Sequence, residues 1–244
     1  MTQSIEAGLQ QLRLSGMAAE LAKQSKDRKT QESSFDNRLS LLIEAEIMSK
    51  DNRRITALLK KAKLRYAQAT LEDVIYKSDR KLERLQINNL ANCEWVKHRH
   101  SVILTGATGT GKSWLACALA TQACRHGLSV LYMTATTLFD NIRLSQADGT
   151  ILKLKRSLTR QSLLVIDDLG MGGVPDDLAH VLLEILDQQS MTGAVIITSQ
   201  YPHKTWHDLF NDPTIADAIL DRLIHGAYCL ALEGESMRKI KARK

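Results

Sequence analysis

No stretch of the 244 residues approaches the roughly 18 uninterrupted apolar positions of a membrane span. The opening Met1-Thr2-Gln3-Ser4-Ile5-Glu6 also lacks the basic-then-apolar order of a secretory signal. The expected compartment is the cytosol, with no membrane partner. Cysteine is scarce: Cys93, Cys117, Cys124 and Cys229 form no C-x-x-C pair, which argues against a disulfide scaffold or a thiolate zinc site and predicts reduced thiols in the core. Aromatic residues make up only 5%, too few for a single-strand nucleic-acid binder built on base stacking, so Trp95 and Trp114 are expected to pack in the core or at a nucleotide edge. With three prolines and no repeats or low-complexity tracts, domain limits must be read from pattern and charge.

Apolar residues at 44% suffice for a sizeable core. Gly106-Ala107-Thr108-Gly109-Thr110-Gly111-Lys112-Ser113 fits G-x-x-x-x-G-K-[ST] at every required position. A β-branched run, residues 101–105, precedes it, and the helix-forming run 113–120 follows it, giving the strand, loop and helix that the motif needs. A triphosphate is met by curled backbone N–H groups, the positive end of a helix and one ammonium. Lys112 is expected on the β- and γ-phosphates of ATP, and the Ser113 hydroxyl on the bridging Mg²⁺. A glycine-rich turn beside an exposed lysine is the plain alternative.

Leu163-Leu164-Val165-Ile166-Asp167-Asp168 reads as a buried parallel strand ending in two carboxylates, where open α/β sheets bind ligands. Asp167 is expected to hold Mg²⁺ through water, and Asp168 to polarise the water that attacks the γ-phosphate. An ordinary Asp-rich turn is the competing reading.

Charge is uneven. Residues 1–67 carry 13 Lys and Arg against 8 Asp and Glu, and residues 233–244 carry 5 against 2. From Leu39 to Tyr66, the positions Leu39, Leu42, Ile43, Ile47, Ile55, Leu58, Leu59, Ala62 and Tyr66 recur at helical spacing and predict one or two amphipathic helices. Lys50, Arg53, Lys60 and Lys61 fall opposite that stripe, with Arg54, Lys63 and Arg65 on its flanks. This basic face tracks nucleic-acid phosphates, is merely solvated, or meets an acidic protein partner. The expected organisation is a small all-helical domain over residues 1–67, followed by an α/β domain over 68–244 with a basic tail.

In the second domain, strands near 128–133, 194–198 and 228–232 alternate with helices near 136–144 and 177–189. This predicts a parallel sheet with right-handed crossovers. His203 and His207 are four apart, a spacing that can suit metal, but Pro202 and Trp206 predict a packed turn there.

G-A-T-G-T-G-K-S, L-L-V-I-D-D-L-G, I-I-T-S-Q, L-D-R-L and G-E-S-M-R, in this order after a basic helical region, resemble the IstB-type transposition helper ATPases. These belong with the DnaC helicase loaders among AAA+ ATPases. The resemblance implies a P-loop AAA+ sheet flanked by helices. It implies Gln200 as a sensor of the γ-phosphate, with a methylene more than the usual asparagine. It implies Arg222 as a finger given to a neighbouring subunit's nucleotide and Arg238 as the second sensor. Asp168 stands where many such ATPases have Glu, which suits slow, switch-like hydrolysis. The implied partners are duplex DNA, a cognate transposase and further copies of the chain in an ATP-dependent homo-oligomer. The alternatives are a DnaC-like loader acting on a replicative helicase and a non-catalytic, nucleotide-gated adaptor.

Overall fold

The computed structural model describes residues 2–76, 78–237 and 239. The chain divides into two compact units, Met1–Ala57 and Leu58–Lys244. The first holds α1 (Thr2–Gln11), α2 (Ser15–Gln24), α3 (Arg28–Gln31) and most of α4 (Phe35–Ala62). The division therefore falls inside a helix. Residues 58–67, grouped by sequence with the helical domain, belong to the larger unit, where Ala62 is core and Leu58, Leu59, Leu64 and Tyr66 pack against it.

In the first unit, the side of α4 that packs is not the aliphatic stripe. Leu39, Ile43 and Ile47 are exposed, whereas Glu46 is buried and accepts the backbone N–H groups of Gly16 at 2.7 Å and Met17 at 3.1 Å. A carboxylate at the start of α2 satisfies helix donors that lack partners and complements the dipole. Gly16 permits the approach, since a Cβ there would lie 2.5 Å from the Ala45 carbonyl oxygen. The hydrogen-bond demand of α2 has rotated α4 away from the face that apolar periodicity selects.

The second unit is built on β1 (Val102–Gly106), β2 (Val130–Thr134), β3 (Leu163–Leu169), β4 (Ala194–Ser199) and β5 (Tyr228–Leu232). All pairings are parallel, in the order β2-β3-β4-β1-β5. Alternation splits the core: Val102, Leu104, Leu163 and Val165 face α5 (Arg84–Ala91), α6 (Glu94–Lys97) and α7 (Lys112–Arg125), while Ile103, Leu164 and Ile166 face the opposite layer. That layer consists of α8 (Ala135–Ala147), α9 (Ile151–Thr159), α10 (Asp176–Thr192) and α11 (Pro213–Ile224). α9 has no counterpart in the sequence reading. α11 starts where local chemistry directs, with Pro213 in its first turn and the Asp212 side chain accepting from Thr214 and Ile215 N–H.

Cys93, Cys117 and Cys124 are buried, whereas Cys229 is exposed on edge strand β5, contrary to the expectation of four core thiols. Trp206 is fully buried in a 3₁₀ turn, His203–Leu209, and its Nε1 donates to the Tyr201 carbonyl at 3.0 Å. His207 Nε2 lies 3.5 Å from Asp217.

Candidate nucleotide site

The carboxyl ends of β1 and β3 and the start of α7 open onto a cleft of about 390 Å³, within the usual range for a small-molecule site. Gly106, Gly109 and Gly111 all have positive φ. A Cβ on Gly106 would fall 2.1 Å from the Leu232 carbonyl oxygen, and one on Gly109 would fall 2.4 Å from Ser236 Oγ. Glycine at these two positions is therefore a packing requirement as well as a conformational one. Met237 N–H donates to the Gly109 carbonyl at 2.9 Å, so the G-E-S-M segment lies directly on the loop.

Lys112 is 5% exposed, and its ammonium donates to the carbonyls of Gly106 at 2.8 Å and Ala107 at 3.0 Å. The Thr110 hydroxyl donates to the Ala107 carbonyl at 2.9 Å, and Thr108, Gly109, Gly111, Lys112 and Ser113 border the cleft.

Asp167 is fully buried and accepts from the Tyr132 hydroxyl at 2.6 Å and the Thr198 hydroxyl at 2.5 Å. Burial, with the Asp167 carboxylate alongside, pushes the Tyr132 phenol up, so Tyr132 stays a donor. Asp168 borders the cleft with φ of +59° at a register shift between Ile166 and Leu169. A non-glycine residue in the left-handed region at a strand end is strained backbone of the kind that aims functional side chains. Its N–H donates to Thr198 Oγ1 at 2.9 Å. Ser113, Asp167 and Asp168 supply only oxygen donors, the set a Mg²⁺ ion takes, and Asp167, with both oxygens engaged, fits an outer position reached through water.

Thr108 Oγ1 donates to Gln200 Oε1 at 2.8 Å, and Gln200 Nε2 donates to Met171 Sδ at 3.1 Å, which brings the end of β4 onto the phosphate loop. Arg222 does not border this cleft. Its Nε donates to Asp187 Oδ1 at 2.6 Å and its Nη1 to the Ala218 carbonyl at 2.9 Å. Arg238 lies outside the described residues.

The seven basic residues separate. Lys60, Lys61 and Lys63 are exposed in the second unit. Lys50 and Arg53 lie 3.6 and 3.3 Å from Glu46, and Arg54 is exposed beside them. Arg65 is diverted to the cleft, with its guanidinium 3.8 Å from Asp167 and 3.9 Å from Asp168.

Residues 7–244 match the family described as IstB-like ATP binding protein. The chain belongs to this family. An insertion sequence ATP-binding protein of Sinorhizobium fredii (strain NBRC 101917 / NGR234), by its name, is 41% identical over 231 residues, 95% of this chain and 94% of that one. The fold of this IstB-like chain is also that of DnaI, with a TM-score of 0.59 and 21% identity over 72% of this chain and 93% of that one. The replication initiator DnaA bound to AMPPCP and single-stranded DNA gives a TM-score of 0.58 at 20% identity, over 72% of this chain and 55% of that one. The sheet is thus that of a P-loop AAA+ protein, and the family to which the chain belongs is an ATP-binding one.

Sequence reasoning missed Tyr132, Thr198 and Arg80 at this site. Thr198 had a signal, since it stands inside I-I-T-S-Q. Tyr132 and Arg80 had none, because each reaches the site across a tertiary contact.

Proposed function

We propose that this chain is an ATP-hydrolysing, DNA-binding regulator of transposition. It assembles with further copies on duplex DNA when ATP and Mg²⁺ are bound, and controls a partner transposase and its target. The observation that carries this reading is the convergence of the phosphate loop, Asp168 and Gln200 on one cleft, with Asp167 buried beside Asp168 at the end of β3 and Thr108 and Gln200 2.8 Å apart.

Ser113, with Asp167 through water, would hold Mg²⁺, which would supply charge neutralisation for the phosphates. The loop's N–H groups and Lys112 hold the phosphates, and Ser113 offers its hydroxyl to the ion. Asp168 accepts the proton of the attacking water, and Gln200 orients the water or the γ-phosphate through its amide. Asp168 is one methylene shorter than the glutamate common at this position, which lengthens its reach to that water and makes hydrolysis slow. Arg222, remote from its own cleft, is free to serve a neighbour's nucleotide once it exchanges Asp187 for the γ-phosphate. Arg238 is assigned as the second sensor.

For DNA, the reading rests on Lys60, Lys61 and Lys63, with Lys50, Arg53 and Arg54 contributing a charge shared with Glu46. Sedimentation of the cytosolic protein with duplex DNA, single-stranded DNA or none, under ATP·Mg²⁺ or ADP, tests the whole scheme. A large complex confined to duplex and ATP is expected, and Arg222→Ala should abolish it. A complex on single strands alone would instead favour a helicase loader, and absence of hydrolysis with DNA and transposase present would favour an adaptor.

A further inference from the structure

Arg80 belongs to none of the motifs above, yet it is the most fully buried arginine among the described residues, at 5% exposure. Its Nη1 donates to the Ile75 carbonyl at 2.5 Å and its Nη2 to the Thr110 carbonyl at 2.9 Å, both neutral acceptors. Among the described residues its Nε has no hydrogen-bond partner, and no carboxylate comes within 4.0 Å of the guanidinium. The adjacent Asp79 is exposed and sits against Gly234, where a Cβ would meet its Oδ2 at 3.0 Å. A guanidinium stays charged at any ordinary pH, and a buried charge without a counter-charge is costly. Burial lowers the Arg80 pKa, with Asp79 opposing from a distance. Among the described residues, Asp79 acts on this cation only from a distance and no carboxylate pairs with it directly.

Its position indicates what compensates it. Arg80 borders the cleft, and its Nη2 lies 3.2 Å from where a Cβ on Gly111 would stand. Lys112 points the other way, to Gly106 and Ala107. The two cations thus mark opposite ends of the phosphate loop. Beyond Arg80 the cleft is walled by Tyr66, Ile75, Trp114 and Met237, apolar and aromatic surface suited to a base. The Arg80 carbonyl accepts from Glu233 N–H at 3.2 Å, so backbone pairing as well as side-chain bonds holds the residue in place.

We propose that Arg80 is a nucleotide-binding residue whose guanidinium is the counter-charge for the α-phosphate, at the opposite end of the polyphosphate from Lys112. The assignment rests on the cleft being a nucleotide site, and extends that site to a residue outside the phosphate-loop motif. A purely structural arginine would staple residues 75–80 to the loop equally well whether or not phosphate is present. Affinity measured against ligand length separates the two roles.

Competition against a fluorescent ADP analogue, using adenosine, AMP, ADP and ATP, gives the readout on wild type, Arg80→Gln, Arg80→Lys and Lys112→Ala. Arg80→Gln should weaken AMP, ADP and ATP by the same factor, about tenfold or more for a lost charged hydrogen bond, and leave adenosine unchanged. Arg80→Lys should recover part of the loss, and Lys112→Ala should weaken ADP and ATP while sparing AMP. Because Arg80→Gln also loses the bonds to the Ile75 and Thr110 carbonyls, affinities are compared as ratios to adenosine within the same variant, which cancels a general loss of folded protein. Equal loss for adenosine, or undiminished ADP binding by Arg80→Gln, would overturn the assignment and leave the nucleotide site intact. Wild-type protein that binds neither ADP nor ATP would overturn both.

Discussion

Tyr132 and Arg65 both act on the carboxylates at the end of β3, and they act differently. The Tyr132 hydroxyl reaches Asp167 at 2.6 Å inside the core, so Tyr132→Phe removes a donor from a fully buried carboxylate. The expected loss is about 1.5–3 kcal/mol of unfolding free energy, read by urea titration. Arg65 is half exposed and 3.8 Å or more from both carboxylates, a contact that solvent screens. Arg65→Ala should change stability by no more than about 0.5 kcal/mol. Its diversion to the cleft also makes a DNA-level distinction. Replacing Lys60 and Lys61 by Ala should reduce the salt slope of duplex binding by about two, whereas Arg65→Ala should leave the slope unchanged. An unchanged slope for the double lysine variant would remove these residues from the DNA face. None of this was visible in one dimension, because a charge on a helical wheel carries no record of the carboxylate that folds against it.

Among the elements, β1 with its loop and α4 were legible to different degrees, and the reason is physical. Strands β1 and β3, the phosphate loop and the start of α7 follow from apolar runs and a loop whose residue types polyphosphate dictates, so there sequence and structure agree within a residue or two, while α7 runs five residues past the helix-forming run 113–120. The loop is also rigidly packed: Gly106→Ala drives a methyl to 2.1 Å from a β5 carbonyl at φ of +141°, and should cost at least ~2 kcal/mol along with nucleotide binding, measured by denaturation and titration with ADP. In α4 periodicity named the packed face from Leu58 to Ala62 but not at Leu39, Ile43 and Ile47, where a buried hydrogen-bonded Glu46 holds the place an aliphatic residue would normally take. Burial opposes the Glu46 charge, but the N–H groups of Met17 and Gly16, with Lys50 and Arg53, outweigh it and hold the carboxyl below its ordinary 4.5. A depressed folded-state pKa stabilises above the ordinary value and ceases to do so as pH falls through the lowered one. The Met1–Ala57 unit should therefore lose helix in acid below pH 4.5, followed by circular dichroism, and Glu46→Gln should flatten that dependence.

At the scale of the molecule, charge asymmetry pointed to two regions, but the structure draws the division within α4, because Ala62 and its neighbours bury apolar surface in the larger unit. Alternation of strands and helices made the parallel sheet legible, while the strand order leaves no periodic trace; α9 does carry Ile151, Leu154 and Leu158 at helical spacing, a signal the sequence reading passed over. One detail of that sheet has a practical consequence. Burial pushes the thiols of Cys93, Cys117 and Cys124 up to about 11, whereas Cys229 stands exposed on β5, directly paired with the strand that enters the phosphate loop. A thiol assay should count one reactive group per native chain and four after denaturation. The unaltered protein should thus accept a single maleimide dye, on the strand beside the one that enters the phosphate loop, and the proposed association between copies can be tested by energy transfer between labelled chains without introducing or removing a cysteine.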